Sequence, residues 1–184
     1  MKLKALIASL SAAVLTACGS VDVETYAKQT PQLELHQYFN GTLDAWGIFQ
    51  KRNGELVRRF HVEIIGTWKN PEEGQLDEYF TYDDGEKQRR VWTLRRQPDG
   101  TWHGTADDVE GIALGRVAGN ALHWKYILKL PVDGKVYDVH FDDWMWQLDE
   151  QNMMNRSVMS KFGFDLGEVT LFFKKRADTE TQTK

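Results

Sequence analysis

Four Asx-Gly dipeptides, Asn53-Gly54, Asp84-Gly85, Asp99-Gly100 and Asp133-Gly134, punctuate the middle of the chain and restrict it more than any other feature. Such pairs supply the positive φ angles that a two-residue hairpin turn requires. Glu73-Gly74 and Gly119-Asn120 suit the same role. The segments between these signals are rich in Val, Ile, Phe, Tyr, Trp and Thr, residues that fit a pleated, half-buried surface. No long stretch repeats with the ~3.6-residue period of a helix.

Two segments alternate clearly. In "ALHWKYILKL" the residues Leu122, Trp124, Tyr126, Leu128 and Leu130 share a face, and His123, Lys125 and Lys129 share the other with Ile127. In "LVRRFHVEIIGTW" the residues Leu56, Phe60, Val62, Ile64 and Trp68 share a face that Arg58 interrupts. One face inward and one outward is the pattern of an antiparallel sheet over a core. Further strands are expected near 44–51, 75–82, 89–97, 101–106, 109–117, 135–148, 153–162 and 168–176. About ten short strands imply an all-β fold, either a closed barrel or a sandwich, and closure into an antiparallel barrel of about 8–10 strands removes the exposed edges. A barrel of that size is either filled by side chains or holds one small ligand.

The N-terminus carries a different signal. "MKLK" is a basic start, "ALIASLSAAVL" is an apolar run, and "LTAC" ends at Cys18. The run is too short to span a bilayer as a helix, which needs about 20 residues, and suits a signal peptide. "LTAC" resembles the bacterial lipobox, which implies cleavage before Cys18 and acylation of that residue. Cys18 is the lone cysteine of 184 residues, so no intrachain disulfide is available to it. The expected division is a signal peptide over 1–17, an acylated Cys18 and tether over 18–37, a barrel over 38–176 and a disordered tail over 177–184. Acyl chains contribute about 0.8 kcal/mol per buried CH₂, which makes such an anchor stable. Gly19 rather than Asp follows the cysteine. The lipobox resemblance then implies an outer-membrane anchor, with the body facing the periplasm.

Formal net charge is −4, and loss of Lys2 and Lys4 with the leader leaves 21 basic against 27 acidic side chains, a net of −6. A basic stripe, the footprint of a nucleic-acid binder, is not expected.

The stretches "FNGTLDAWG", "FTYDDGEKQRRVW", "DDVEGIALGRVAGNALHWKY", "DDWMW" and "NRSVMSKFG" resemble a family of uncharacterised Gram-negative lipoproteins of about this length. The resemblance runs from Cys18 to Arg176 and implies a calycin-like, lipocalin-like barrel. It also implies a setting of lipid handling, since genes of that family lie near lipid-modifying enzymes.

Candidate chemistry centres on "VHFDDWMWQL". As a strand it places Tyr137, Val139, Phe141, Asp143 and Met145 on one face, and Asp138, His140, Asp142, Trp144 and Trp146 on the other. One of Asp142 and Asp143 must then point inward, and a buried carboxylate needs a partner. Arg89, Arg90 and Arg156 are the candidates, with Asp83-Asp84 and Asp107-Asp108 as further acidic pairs. Neighbouring strand residues face opposite ways, so the pair should not act on one substrate as an acid/base dyad.

Histidines 36, 61, 103, 123 and 140 show no metal-ligand spacing, and His140 with Asp142 gives only two ligands on one face. There is no Gly-x-Ser-x-Gly elbow and no Walker or dinucleotide glycine pattern. No metal, cofactor or catalytic residue is therefore assigned. The expected function is non-catalytic binding of an apolar or amphipathic ligand such as a fatty acid or lipid. Arg90, Trp92, Trp124, Tyr126, Asp143, Trp144 and Arg156 are the ligand-binding candidates. The rivals are an envelope scaffold and a lipid-modifying enzyme using Asp142 or Asp143. A hollow barrel favours the binder; a filled one with an exposed apolar patch favours the scaffold.

Overall fold

The computed structural model describes residues 20–132 and 134–177. The leader, Cys18, Asp133 and the last seven residues lie outside this range, and the expectations placed on them with it.

Ten antiparallel strands form one closed barrel in which each strand pairs with its sequence neighbours and β1 closes on β10. They are β1 (Gly41–Lys51), β2 (Leu56–Asn70), β3 (Glu73–Tyr82), β4 (Lys87–Arg96), β5 (Trp102–Thr105), β6 (Val109–Ala118), β7 (Ala121–Val132), β8 (Lys135–Gln147), β9 (Asn152–Lys161) and β10 (Phe164–Lys175). This up-and-down order leaves no free edge, the outcome expected from the turn spacing. Gly54, Gly85, Gly100 and Gly134 all take positive φ at hairpin turns. Gly74 does not: it lies inside β3, and the turn falls on Pro71-Glu72. The glycine makes room there, because a Cβ would stand 2.4 Å from the Trp68 ring.

Alternation sorts the side chains. Val62 and Ile64 of β2, Leu76 and Phe80 of β3, Trp92 and Leu94 of β4, Trp124 and Leu128 of β7 and Val139 and Phe141 of β8 all point inward and are buried. The outward faces carry cross-strand ion pairs. Arg176 joins Asp44 and Glu63, Arg89 joins Asp77, Arg95 joins Glu73 and Arg156 joins Glu168. A charged exterior around an apolar interior inverts the pattern of a barrel whose outer band faces lipid.

The segment expected to be a tether is built into the fold. It forms a 3-10 turn at Val23–Tyr26 and a single helical turn, α1 (Leu35–Tyr38). Val23, Leu33, Leu35, Tyr38 and Phe39 are all buried. Leu33 donates its N–H to the Gly119 carbonyl at 2.8 Å, and the Tyr38 hydroxyl donates to the Gln151 carbonyl at 3.2 Å. A Cβ on Gly66 would fall 1.5 Å from the Phe39 carbonyl oxygen, so only glycine lets β2 pass under this plug. The plug closes the end of the barrel where β6 meets β7 and β8 meets β9.

Candidate functional site

The barrel is hollow. It encloses a cavity of about 630 Å³, inside the range of ~300–1,000 Å³ typical of small-molecule sites. Leu35 and Phe39 form its floor, and Val62, Ile64, Phe80, Leu122, Leu128, Phe141 and Phe173 line its walls. At the opposite end it reaches Val57, Glu86, Lys87 and Val132, all exposed. That end is the mouth. Arg58, the residue that interrupts the apolar face of β2, sits there. Its guanidinium lies 3.6 Å from the centre of the Tyr82 ring and donates to Asp84 and Glu86 at 2.6–2.8 Å.

One wall is aromatic. The Trp92 ring meets Trp124 edge-on at 5.9 Å and Tyr126 edge-on at 5.4 Å, and Tyr126 stacks on Phe141 at 4.9 Å. Glycines make the space: a Cβ on Gly115 would lie 1.9 Å from the Trp124 ring and one on Gly104 would lie 2.4 Å from it. The small β5 and β6 residues thus let one large indole lie flat against the wall.

A polar cluster interrupts the apolar lining. Glu78 of β3 and Arg90 of β4 are paired across the ladder, and both face inward. Arg90 Nη1 stands 3.7 Å from Glu78 Oε2. Its Nε and Nη2 edge is taken by Asp108, which accepts at 2.8–3.0 Å, and Gln88 also donates to Asp108 at 3.3 Å. Asp143 of β8 is buried, and its Oδ1 accepts from Asn155 Nδ2 of β9. Ser157 lies directly across from Asp143 on β9, and its buried Oγ has no hydrogen-bond partner among the described residues.

Burial dominates the electrostatics, because an ionised carboxylate loses its water shell. It pushes Glu78 up to about 7, with Arg90 pulling the other way and Asp108 and Asp143 adding to the rise. It pushes Asp143 up to about 7, opposed by the Asn155 hydrogen bond and helped by the nearby Asp142 charge. Burial of the Tyr126 hydroxyl raises it well above the ordinary tyrosine value. Burial tends to lower Arg90, but the Asp108 hydrogen bonds and the Glu78 charge outweigh it, so the guanidinium stays charged.

Five of the sequence candidates, Arg90, Trp92, Trp124, Tyr126 and Asp143, therefore meet in one cavity. Two do not, and the expectation for them is corrected. Trp144 follows Asp143 and points to the outer wall, where it stacks on His123 at 3.9 Å and on Trp146 at 5.9 Å beneath Tyr26. Arg156 lies between inward Asn155 and Ser157, so it points out and pairs with Glu168 at 2.6 Å. Asp142 also faces out, bonded to His123 at 2.8 Å and to Lys125 at 3.0 Å. Burial pushes the Asp142 carboxyl up, but these two partners outweigh it and hold it below the usual range. The expected Asp–Arg network exists with different members: Asp108 and Glu78 hold Arg90, while Asp143 leans on Asn155.

Glu78, Asn155 and Ser157 were not singled out from the sequence. Strand parity could have found all three, since Glu78 falls in step with Leu76 and Phe80, and Asn155 and Ser157 fall in step with Met153 and Met159. Among the described residues no group of three or more His, Cys, Asp or Glu side chains is arranged to hold a metal.

An all-β, closed, up-and-down barrel of ten antiparallel strands with a hollow, mostly apolar interior defines the class. Residues 12–175 match the family described as "Protein of unknown function (DUF3833)", and the chain belongs to that family. No curated protein matches it. Among solved structures it is similar to a designed fluorescence-activating β-barrel, at 11% identity and a TM-score of 0.44, covering 78% of this chain and 99% of that one. A Nostoc punctiforme protein of unknown function from the DUF3598 family is similar at 10% identity and a TM-score of 0.49, covering 81% of this chain and 51% of that one. Lobster apocrustacyanin A1 is similar at 14% identity and a TM-score of 0.42, covering 90% of this chain and 74% of that one.

Proposed function

We propose that the protein is a periplasm-facing, outer-membrane lipoprotein, anchored through acylated Cys18, that binds an apolar or amphipathic ligand such as a fatty acid or lipid. It does so without catalysis. One observation carries the binding reading: a cavity of about 630 Å³ in a closed barrel whose walls are mostly aromatic and aliphatic, with a few polar groups, among them Glu78, Arg90 and Asp143, facing into it. Pre-formed apolar cavities with a few convergent polar groups are the usual form of small-molecule sites. The anchor rests on the lipobox-like "LTAC" and on the sole cysteine.

Native mass spectrometry of the protein, expressed in the periplasm and purified without detergent, tests the binding reading. A stoichiometric added mass that denaturation releases as lipid is the expected result. An unliganded mass that persists after incubation with a membrane lipid extract rejects it. For the anchor, Cys18→Ala should move the protein from the membrane fraction to the soluble periplasmic fraction; an unchanged distribution rejects acylation there.

A second reading has one observation behind it. Asp143 is a carboxylate in a cavity, raised to about 7, which is the condition for a general acid or base near neutral pH. A lipid-modifying enzyme would use Asp143 and not the outward Asp142. Turnover of a lipid ester or isomerisable lipid that Asp143→Asn abolishes, while ligand retention persists, would favour it over the binder.

A further inference from the structure

The polar cluster in the cavity has an unequal inventory. Apart from Arg58, Glu86, Lys87 and Lys129 towards the mouth, the cavity holds one guanidinium, that of Arg90, and three carboxyl groups, those of Glu78, Asp108 and Asp143. The guanidinium is committed to the wall. Asp108 occupies its Nε and Nη2 edge at 2.8–3.0 Å, and Glu78 stands 3.7 Å from Nη1. Arginine has five N–H donors in a fixed fork; Asp108 fills the side-on edge, and Glu78 stands at the Nη1 end, the other edge that could grip a ligand carboxylate. The cation therefore acts as a structural counter-ion rather than as a free anion receptor.

The acceptors are less fully used. Asp143 accepts one hydrogen bond from Asn155 and, among the described residues, has no cation within ion-pair distance. A carboxylate offers about four lone-pair directions, so most of its accepting capacity is open. Ser157, its cross-strand partner, is 2% exposed and carries a hydroxyl oxygen that finds no hydrogen-bond partner among the described residues. Directly paired strand residues on one face have Cβ atoms about 4.5–5.5 Å apart, so the two groups present one small polar patch to the cavity. A buried polar atom without a partner costs free energy, and a ligand group that supplies the missing bond recovers it.

Charge points the same way. An anionic head would add negative charge to a space of low dielectric that already holds three carboxyl groups against one paired guanidinium, where like charges are costly. A cationic or neutral donor head meets open acceptors instead. Resting on the reading of the cavity as an amphiphile site, we propose that it selects ligands whose polar end is a hydrogen-bond donor, an ammonium or a hydroxyl, seated on Asp143, Ser157 and Glu78. It rejects the carboxylate or phosphate head of the same chain, which narrows the proposed ligands to amphiphiles other than free fatty acids.

Four probes that share one dodecyl chain test this: dodecylamine, dodecanol, laurate and dodecyl phosphate. Each is titrated into the full-length protein, stripped of co-purified lipid, at neutral pH. The readouts are the fluorescence of the cavity tryptophans and displacement of an apolar dye. Dodecylamine and dodecanol should bind at least about tenfold more tightly than laurate and dodecyl phosphate, given the cost of like charges in the cavity. Asp143→Asn with Ser157→Ala should erase most of that preference, and Asp142→Asn, on the outer wall, should leave both the preference and dye binding unchanged. Equal binding of all four heads would overturn the head-group inference and leave the amphiphile reading standing. Tighter binding of laurate or dodecyl phosphate would also overturn it. Failure of every probe and of the dye would reject the amphiphile reading itself.

Discussion

Glu78 and Arg90 stand directly opposite each other on β3 and β4, with their charged ends 3.7 Å apart inside the barrel. Arg90 is the cation that keeps Glu78 and Asp108 tolerable in an otherwise apolar interior. Removing one partner of a buried ion pair leaves the other charge stranded, at a cost of about 3–5 kcal/mol. Arg90→Gln should lower stability by that order in urea unfolding at pH above neutral. The loss should shrink in mild acid, where the stranded carboxylates take up protons. Glu78→Gln in the same background should restore part of it. A small, pH-independent loss would show that the cluster does not depend on Arg90.

Stability should fall as the solution becomes alkaline. Burial raises Glu78 and Asp143 to about 7 from ordinary values of 4.5 and 3.8. Between those limits the folded protein binds more protons than the unfolded chain. Their contribution is full below the unfolded values and is lost as pH rises through about 7, at no more than about 1.4 kcal/mol per pH unit for each group. Asp44 works in the opposite direction. The Arg176 hydrogen bond, with help from His61, overcomes burial and holds it at about 2, so its contribution disappears as pH falls from its ordinary 3.8 towards 2. Urea midpoints should therefore peak in mild acid and decline towards pH 8. Glu78→Gln with Asp143→Asn should flatten the alkaline decline; a midpoint that rises with pH would contradict the assignment.

Gly115 and Trp124 test the aromatic wall. A methyl group on Gly115 would land 1.9 Å from the indole, so Gly115→Ala must push Trp124 into the cavity. Overpacking of this kind costs about 1–3 kcal/mol. Both the melting temperature and the binding of an apolar dye should fall together. Loss of stability without loss of dye binding would separate the wall from the cavity.

The β9–β10 hairpin offers a gain. Its two-residue turn is Phe162-Gly163, with φ of 53° and 80°, so both central residues are left-handed. Asn suits the first position of such a turn, whereas Phe is strained there. The Phe162 ring is 86% exposed and packs little in return. Phe162→Asn should stabilise the protein by about 1 kcal/mol in urea unfolding. No gain would mean that the ring makes compensating contacts, such as that with Lys161 Nζ, 5.0 Å from the ring centre.

The strands were legible because alternation and turn chemistry agree along most of the chain. β7 shows this best, with Leu122, Trp124, Tyr126 and Leu128 inward and His123, Lys125 and Lys129 outward as read. The same rule decides "DDW": once Asp143 is inward, Asp142 and Trp144 must face out. Placing Trp144 and Arg156 in the cavity set chemical appeal above parity. An Arg beside inward Asn155 and Ser157 cannot join them, and it finds Glu168 across the β9–β10 ladder instead. The plug was not legible. Val23–Tyr26 and Leu35–Tyr38 are single turns, too short to show a period, and only the closed barrel end gives Leu33 and Leu35 something to bury against. Glu78 escaped notice because a carboxylate in a strand ordinarily marks the wet face.

The 3-10 turn at Val23–Tyr26 packs beside β6 and β7, at the plugged end of the barrel. The described chain therefore begins near the pole farthest from Val57 and Val132. If the protein is anchored and loaded as proposed, the barrel is a cup held by its base, with its mouth turned away from the point of attachment, so loading and attachment use different surfaces.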